Sequence, residues 1–69
     1  MIKTRIIFNG WNRSKSPAVK SKIQIEGSIQ KETEKMIVIF GRTEDEKIDC
    51  IFNIKKSTII EREDKNENY

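Results

Sequence analysis

The side chains best suited to chemistry in this chain are basic and aromatic, and they lie near its beginning. Six basic residues occur among the first 25 residues, and no acidic residue precedes Glu26. Mobile cations contact phosphate groups, and an exposed aromatic ring can stack on a nucleic-acid base. The candidate site consists of Lys3, Arg5, Trp11, Arg13, Lys15, Lys20 and Lys22. These residue types favour electrostatic capture of an anion combined with base stacking.

Each part of this candidate site also has a purely structural explanation. Tryptophan is commonly mostly buried, so Trp11 is more simply explained as a plug at one end of a core. Lys3 and Arg5 share one face of an alternating segment, and charges on an edge strand also prevent aggregation. The basic segment that follows Trp11 carries more positive charge than solubility requires, but an acidic protein would satisfy it as well as a nucleic acid would.

Residues for catalysis or for metal binding are scarce. The chain has no histidine and a single cysteine, Cys50. A serine-type triad would lack its base, and a zinc site would have to use carboxylates alone. The acidic run Glu44–Glu46 lacks the spacing of a calcium loop, and a hairpin tip offers no cleft that would raise a carboxyl pKa. We therefore expect a protein that is not an enzyme and uses no metal or cofactor.

Length and composition predict one small domain. A chain of 69 residues buries only about 60% of the surface that it exposes when unfolded, and self-association is one way to cover the remainder. The longest apolar run, Met36–Phe40, is too short to span a bilayer, and the chain does not begin with the apolar stretch of a signal peptide. A lone Cys50 at an alternating position indicates a buried, inert thiol. We expect a cytoplasmic protein with no membrane contact.

Alternating apolar and polar residues predict five strands. The predicted strands are Ile2–Asn9, Lys22–Gln30, Met36–Phe40, Ile48–Lys55 and Ser57–Glu61. Because Met36–Phe40 is continuously apolar, we expect this strand to be covered on both faces.

Turn-forming residues divide these strands. Asn9–Gly10 is expected to turn the chain, since both residues tolerate positive φ, and Trp11–Ser21 is expected to form a loop. Gly27, inside the clearest strand, predicts a sharp bend or a bulge. The predicted fold class is all-β: a small, five-stranded, strongly bent antiparallel barrel over residues 1–61, of Sm-like, SH3-like or OB-like type. A disordered polar and acidic tail is predicted for residues 62–69.

Four segments of the chain carry motifs that a known family shares. Lys22–Gln30 is an alternating strand with an internal glycine, and Met36–Phe40 is a continuously apolar strand after a short polar turn. In Ile51–Ile60 a Ser-Thr pair precedes the last strand. These segments resemble the second strand, the third strand and the second Sm motif of the Sm-like family, most closely its bacterial RNA-chaperone branch, and Arg5–Gly10 resembles the first strand and its turn. The resemblance covers about Arg5 to Glu61, and it implies a barrel, RNA binding and a homo-oligomeric ring formed by edge-strand pairing.

The chain departs from the Sm-like pattern at the residues that bind RNA. The helix before the barrel is missing, and a long segment, Trp11–Lys20, replaces a tight turn. The Lys-His pair that helps to bind uridine would fall at Asn53 and Ile54, and the stacking aromatic would fall at Lys35. The resemblance therefore implies the fold and the ring better than it implies the same RNA site.

Two function classes follow from these observations. The first is a non-enzymatic protein that binds RNA or single-stranded nucleic acid through the basic beginning of the chain. The alternative is a small protein-interaction module, such as an accessory or phage-type inhibitor, that docks on a larger protein through a sheet edge or its basic face.

Overall fold

The computed structural model describes residues 2–12, 17 and 19–66, and its regular structure is almost entirely antiparallel strand. The strands are β1 (Ile2–Asn12), β2 (Val19–Glu32), β3 (Met36–Thr43), β4 (Cys50–Lys55) and β5 (Ile59–Asn66). One turn of 3-10 helix, Lys56–Thr58, joins β4 to β5. The five strands form one sheet in the order β4-β3-β2-β1-β5. The all-β class and the five antiparallel strands are therefore confirmed.

The core consists of isoleucines on one face of this sheet. Five of them are at most 2% exposed, namely Ile6, Ile25, Ile37, Ile39 and Ile54. Phe8, Ile29, Phe52 and Ile59 pack against this cluster. A flat sheet without a second layer would leave both faces in water, so the sheet must curl around its inner face to bury these side chains. Within the described residues β4 and β5 do not pair, so backbone hydrogen bonds do not close the curl into a barrel.

Two facing glycines allow β2 and β3 to approach each other closely. Gly27 and Gly41 are cross-strand partners. A Cβ atom on Gly27 would lie 2.1 Å from the carbonyl oxygen of Phe40, and one on Gly41 would lie 2.1 Å from that of Glu26. Because the obstructing atoms belong to the backbone, no side-chain movement would relieve either clash. Both positions therefore require glycine.

The predicted turn at Asn9–Gly10 is wrong, and of the bend or bulge predicted at Gly27 the bulge is wrong. Asn9 and Gly10 continue β1 and pair with Lys22 and Ser21 of β2. Pairing along a long hairpin outweighs the local turn preference of an Asn-Gly pair. Gly27 pairs in regular register, and the irregularity of β2 falls between Ile29 and Lys31 instead.

The strand around Met36–Phe40 is covered on one face only, contrary to the sequence prediction. Ile37 and Ile39 are buried, whereas Met36 is 38% and Phe40 is 42% exposed. The described residues form no second layer over the outer face, so apolar residues at the outward positions of β3 are exposed. Ile48, predicted to begin the next strand, precedes β4 and is 78% exposed.

Strand β5 continues five residues beyond its predicted end at Glu61. Residues 62–66, assigned to a disordered tail by the sequence, pair with Ile2–Ile6 of β1. Thr4, which is buried, donates a 2.8 Å hydrogen bond from Oγ1 to Asp64 Oδ1. Polar pairing across the sheet holds this segment without an apolar pattern that would reveal it. Residues 67–69 lie outside the described residues.

An ion cluster links β5 to the end of β2. Glu32 Oε2 lies 2.7 Å from Lys56 Nζ and 3.0 Å from Arg62 Nη1. Arg62 also contacts Asp64, at 3.4 Å. Hydrogen bonds from Arg62 and then Lys56 lower the pKa of Glu32 from 4.5 to about 2. The cluster therefore joins residues from β2, the 3-10 turn and β5 around one carboxylate.

Candidate nucleic-acid interface

Alternation along β1 places the candidate residues of that strand on the outer face of the sheet. Thr4 and Ile6 point into the core, so Lys3, Arg5 and Trp11 point away from it. Residues directly opposite each other on neighbouring strands share a face. Trp11 pairs with Lys20, and Asn9 pairs with Lys22.

The structure thus brings five of the seven candidate residues to one face. These five residues are Lys3, Arg5, Trp11, Lys20 and Lys22. The other two, Arg13 and Lys15, lie outside the described residues.

We call Trp11, Lys20 and Lys22 the open basic end. Trp11 is 65% exposed, which contradicts its explanation as a plug of the core. Lys20 and Lys22 are exposed, and neither forms an ion pair with any residue that the structure describes. An exposed ring beside two available ammonium groups can stack on a base while the neighbouring phosphates meet positive charge.

We call Lys3 and Arg5 the paired end, because carboxylates neutralise both residues. Lys3 Nζ lies 3.3 Å from Glu26 Oε2. Arg5 Nη2 donates to Glu61 Oε1 at 3.2 Å and to Glu63 Oε2 at 3.3 Å. The hydrogen bond with Glu63 is the main reason why the pKa of Arg5 is raised. The pKa of Glu63 is lowered, first by its hydrogen bond with Lys65 and then by that with Arg5.

A cleft of about 200 Å³ opens beside Trp11, at the end of the sheet where β1 ends and β3 enters its turn. Its aromatic side chains are Phe8, Trp11 and Phe52. Its acidic side chains belong to the turn Glu44–Glu46, and Lys22 is its one basic lining residue among those described. The sequence predicts a hairpin tip without a cleft at the acidic turn, whereas the structure places this turn in the lining of a cleft with Trp11. The strand register brings the two together, and no local pattern could have revealed it.

Part of the acidic turn is held in place by hydrogen bonds. Glu46 accepts from Thr43 Oγ1 at 3.1 Å and from Cys50 Sγ at 3.6 Å. The backbone N–H of Glu46 also donates to the Thr43 carbonyl, at 3.1 Å. Cys50 is half-buried and acts here as a weak donor. Glu44 and Asp45 make no hydrogen bond or ion pair with any described residue, so their oxygens are available to a ligand.

A second groove, of about 280 Å³, continues from the cleft along the outer face. The two share Gln24, Thr43 and Glu44. Its basic residues are Lys3 and Arg42, and Arg42 Nε lies 3.7 Å from Asp49 Oδ1. Both cations are thus already paired, so this groove offers a path beyond the cleft with little unpaired charge.

The described residues meet the requirements of neither a metal site nor a membrane-spanning helix. No three His, Cys, Asp or Glu side chains among them come together as a metal site. The part of the chain covered by the structure has no helix long and apolar enough to cross a bilayer. Comparisons with protein-family models, curated proteins and solved structures find no match to this chain.

Proposed function

We propose that this protein binds single-stranded nucleic acid, RNA in the first instance, through its open basic end and without catalysing a reaction. The supporting observation is the pairing of exposed Trp11 with Lys20, with Lys22 on the same face and no carboxylate partner for either lysine among the described residues. Unpaired bases present a free ring face to an aromatic side chain, and duplex bases do not. A single strand is therefore the ligand that this arrangement favours.

The proposed mechanism divides the contacts between stacking and charge. Trp11 stacks on one base, and Lys20 and Lys22 neutralise the flanking phosphates. Arg13 and Lys15 follow Trp11 closely in the sequence, so we include them as further phosphate contacts. Lys3 and Arg5 contribute less, because a phosphate would have to displace carboxylates that already hold them.

An Sm-like or SH3-like barrel that assembles as a ring is part of this proposal. The strand order leaves β4 and β5 at opposite edges of the sheet. One edge of a copy can add to the other edge of the next, which is a head-to-tail contact that closes into a ring. Native mass spectrometry should then give six or seven subunits, and a monomer at every concentration would rule the ring out.

The test of the proposed function compares two double variants with the same change in charge. Lys20→Gln with Lys22→Gln removes the open basic end, and Lys31→Gln with Lys35→Gln removes two exposed lysines elsewhere. Fluorescence anisotropy measures the binding of labelled eight-nucleotide RNA and DNA over a series of salt concentrations. Each lost phosphate contact reduces the magnitude of the negative slope of log K against log salt by about 0.7 for a single strand. The slope of the first variant should therefore be shallower than that of the wild-type protein by about 1.4.

Stacking is tested in the same assay. Trp11→Ala should weaken binding by about 1–3 kcal/mol, whereas Trp11→Phe, which keeps an aromatic face, should lose much less. The proposal fails if the wild-type protein binds neither RNA nor DNA, or if the two lysine variants behave alike.

An exposed apolar strip on β3 and β4 favours a protein partner as the second candidate function. Phe40 and Ile51 are cross-strand partners on the outer face and are 42% and 50% exposed. Such a strip is typical of a surface that docks on another protein. A partner protein bound here would survive nuclease treatment, would be lost in Phe40→Ser with Ile51→Ser, and would be retained in Lys20→Gln with Lys22→Gln.

A further inference from the structure

The cleft beside Trp11 is lined by two chemically different kinds of side chain. Exposed Trp11 provides an aromatic ring, Phe8 and Phe52 reach the cleft from the core side of the sheet, and the turn that contains Glu44 and Asp45 provides carboxylates. Carboxylates at neutral pH only accept hydrogen bonds. A flat ligand that stacks on Trp11 and also contacts the turn must therefore present hydrogen-bond donors to these carboxylates.

Nucleobases differ in the donors that their exposed edges offer. Uracil and thymine place a single N–H between two carbonyl oxygens, and those oxygens repel a carboxylate. Adenine and cytosine each present one amino group. Guanine presents a ring N–H beside an amino group, so two parallel donors match the two oxygens of one carboxylate.

We propose that the cleft receives one unstacked base of the bound strand and that the acidic turn selects guanine, with uracil the least favoured base. This inference rests on the proposed function, since it assigns a base preference to the same site. The base enters between Trp11 and the turn, while the backbone of the strand stays on the side of Lys20 and Lys22. The free oxygens of Glu44 and Asp45 are the selecting acceptors, because Glu46 is already engaged by Thr43 and Cys50.

The same carboxylates have a second effect with the opposite sign. They repel every phosphate near the cleft, whatever the base. Neutralising the turn should therefore strengthen the binding of a strand that lacks guanine while it weakens the discrimination between bases. A carboxylate that only stabilised the fold would not produce this combination.

The experiment uses eight-nucleotide RNAs that differ at one central position. A uridine strand carries guanosine, inosine, adenosine, cytidine or uridine at that position, and inosine keeps the ring N–H of guanosine but lacks its amino group. Trp11 is the only tryptophan of the chain, so its fluorescence reports occupancy of the cleft directly. We expect the guanosine strand to bind about tenfold more tightly than the all-uridine strand, with inosine between them.

The variant Glu44→Gln with Asp45→Asn supplies the second measurement. It should reduce the guanosine preference to less than about twofold and should tighten binding of the all-uridine strand. Glu34→Gln removes a carboxylate from the exposed turn between β2 and β3, far from the cleft lining, and should change neither quantity. Circular dichroism confirms that each variant is folded.

The outcomes separate this inference from the proposed function. Equal affinity for the five strands, a preference for uridine, or an undiminished guanosine preference in Glu44→Gln with Asp45→Asn would overturn base selection by the turn and leave strand binding intact. Failure of every strand to bind would remove the proposed function, and the base preference with it.

Discussion

The two ends of the outer face begin from the same kind of sequence and differ in what the fold brings to them. At the paired end, Arg5 meets two carboxylates of β5. At the open basic end, Lys20 and Lys22 lie beyond the reach of β5, whose pairing with β1 stops at Phe8. Where β5 runs beside β1, its carboxylates neutralise Arg5, and Glu26 of β2 neutralises Lys3. Beyond the end of this pairing, Lys20 and Lys22 have no carboxylate partner among the described residues.

This difference shows that a run of like charges in the sequence does not by itself predict a charged surface in the folded protein. The basic beginning of the chain and the acids of β5 are far apart in sequence, yet Arg5 pairs directly with Glu63 across the sheet. Only about half of the predicted basic face therefore carries unpaired charge in the described structure. The unpaired part is shorter than the charge run, and it is displaced towards the end of β1.

The largest effect should come from the glycine pair that supports both ends. Gly27 pairs with Thr4, next to the paired end, and with Gly41, close to the acidic turn. Gly27→Ala should lower the free energy of unfolding by about 2–3 kcal/mol, because the new methyl meets backbone atoms. Urea denaturation measures the loss.

Gly10→Ala is the matched control for that measurement. A Cβ atom on Gly10 would meet the ring of Phe8, at 2.8 Å, and a side chain can move aside. This variant should lose clearly less stability than Gly27→Ala. Equal losses would show that the close approach of β2 and β3 is not what demands glycine.

A smaller effect should follow when the paired end is opened. Glu63 also pairs with Lys65, so the test is made in a Lys65→Gln background. There Glu61→Gln with Glu63→Gln releases Arg5 alone, so single-stranded RNA should gain one contact and the salt slope should steepen by about 0.7. Because the variant also makes the protein more basic overall, the same pair of changes is repeated in an Arg5→Gln background. The gain in slope should disappear there, and a gain that persists would contradict the contrast between the two ends.

The smallest effect on stability should come from the loss of the Glu32 carboxylate, which binds Arg62 of β5. Glu32 binds Lys56 and Arg62, and its pKa is lowered from 4.5 to about 2. Since the folded-state pKa lies below the ordinary value, the stabilisation is complete above pH 4.5 and is lost as the pH falls towards 2.

Glu32→Gln should therefore lower the urea midpoint at pH 7 by less than Gly27→Ala does. It should also flatten the pH dependence of stability between about pH 4.5 and pH 2, the interval between the two pKa values. Urea midpoints measured across this interval for both proteins provide the check. Parallel curves would mean that other carboxylates account for the acid sensitivity.

Much of the fold could be predicted from the sequence, because a buried face imposes a period of two on any strand. The alternating Ile23 and Ile25 predict β2 in this way, and Ile54 belongs to the alternating pattern that predicts β4. The same period correctly placed Lys3 and Arg5 on one face. The last five residues of β5 could not be predicted, since Arg62 and Asp64 are held by ion pairs and a buried threonine hydroxyl, which leave no apolar pattern.

The candidate site could be predicted only in part, for a similar reason. The charge run and Trp11 pointed to the outer face of β1 and β2, and the exposure of Trp11 agrees with a surface role. The neutralisation of Arg5 and the position of Glu44 beside Trp11 both depend on strand register. Register is set by the whole sheet, so no local window of sequence contains it.

The facing glycines also carry an evolutionary consequence. A Cβ atom on either glycine would meet backbone atoms of the facing strand. Neither glycine can therefore be replaced by a larger residue while the two strands keep their spacing. The core isoleucines, in contrast, can exchange with valine or leucine at modest cost. In a distant descendant of this chain, a glycine in the second strand facing a glycine in the third should outlast most of the apolar sequence that surrounds them.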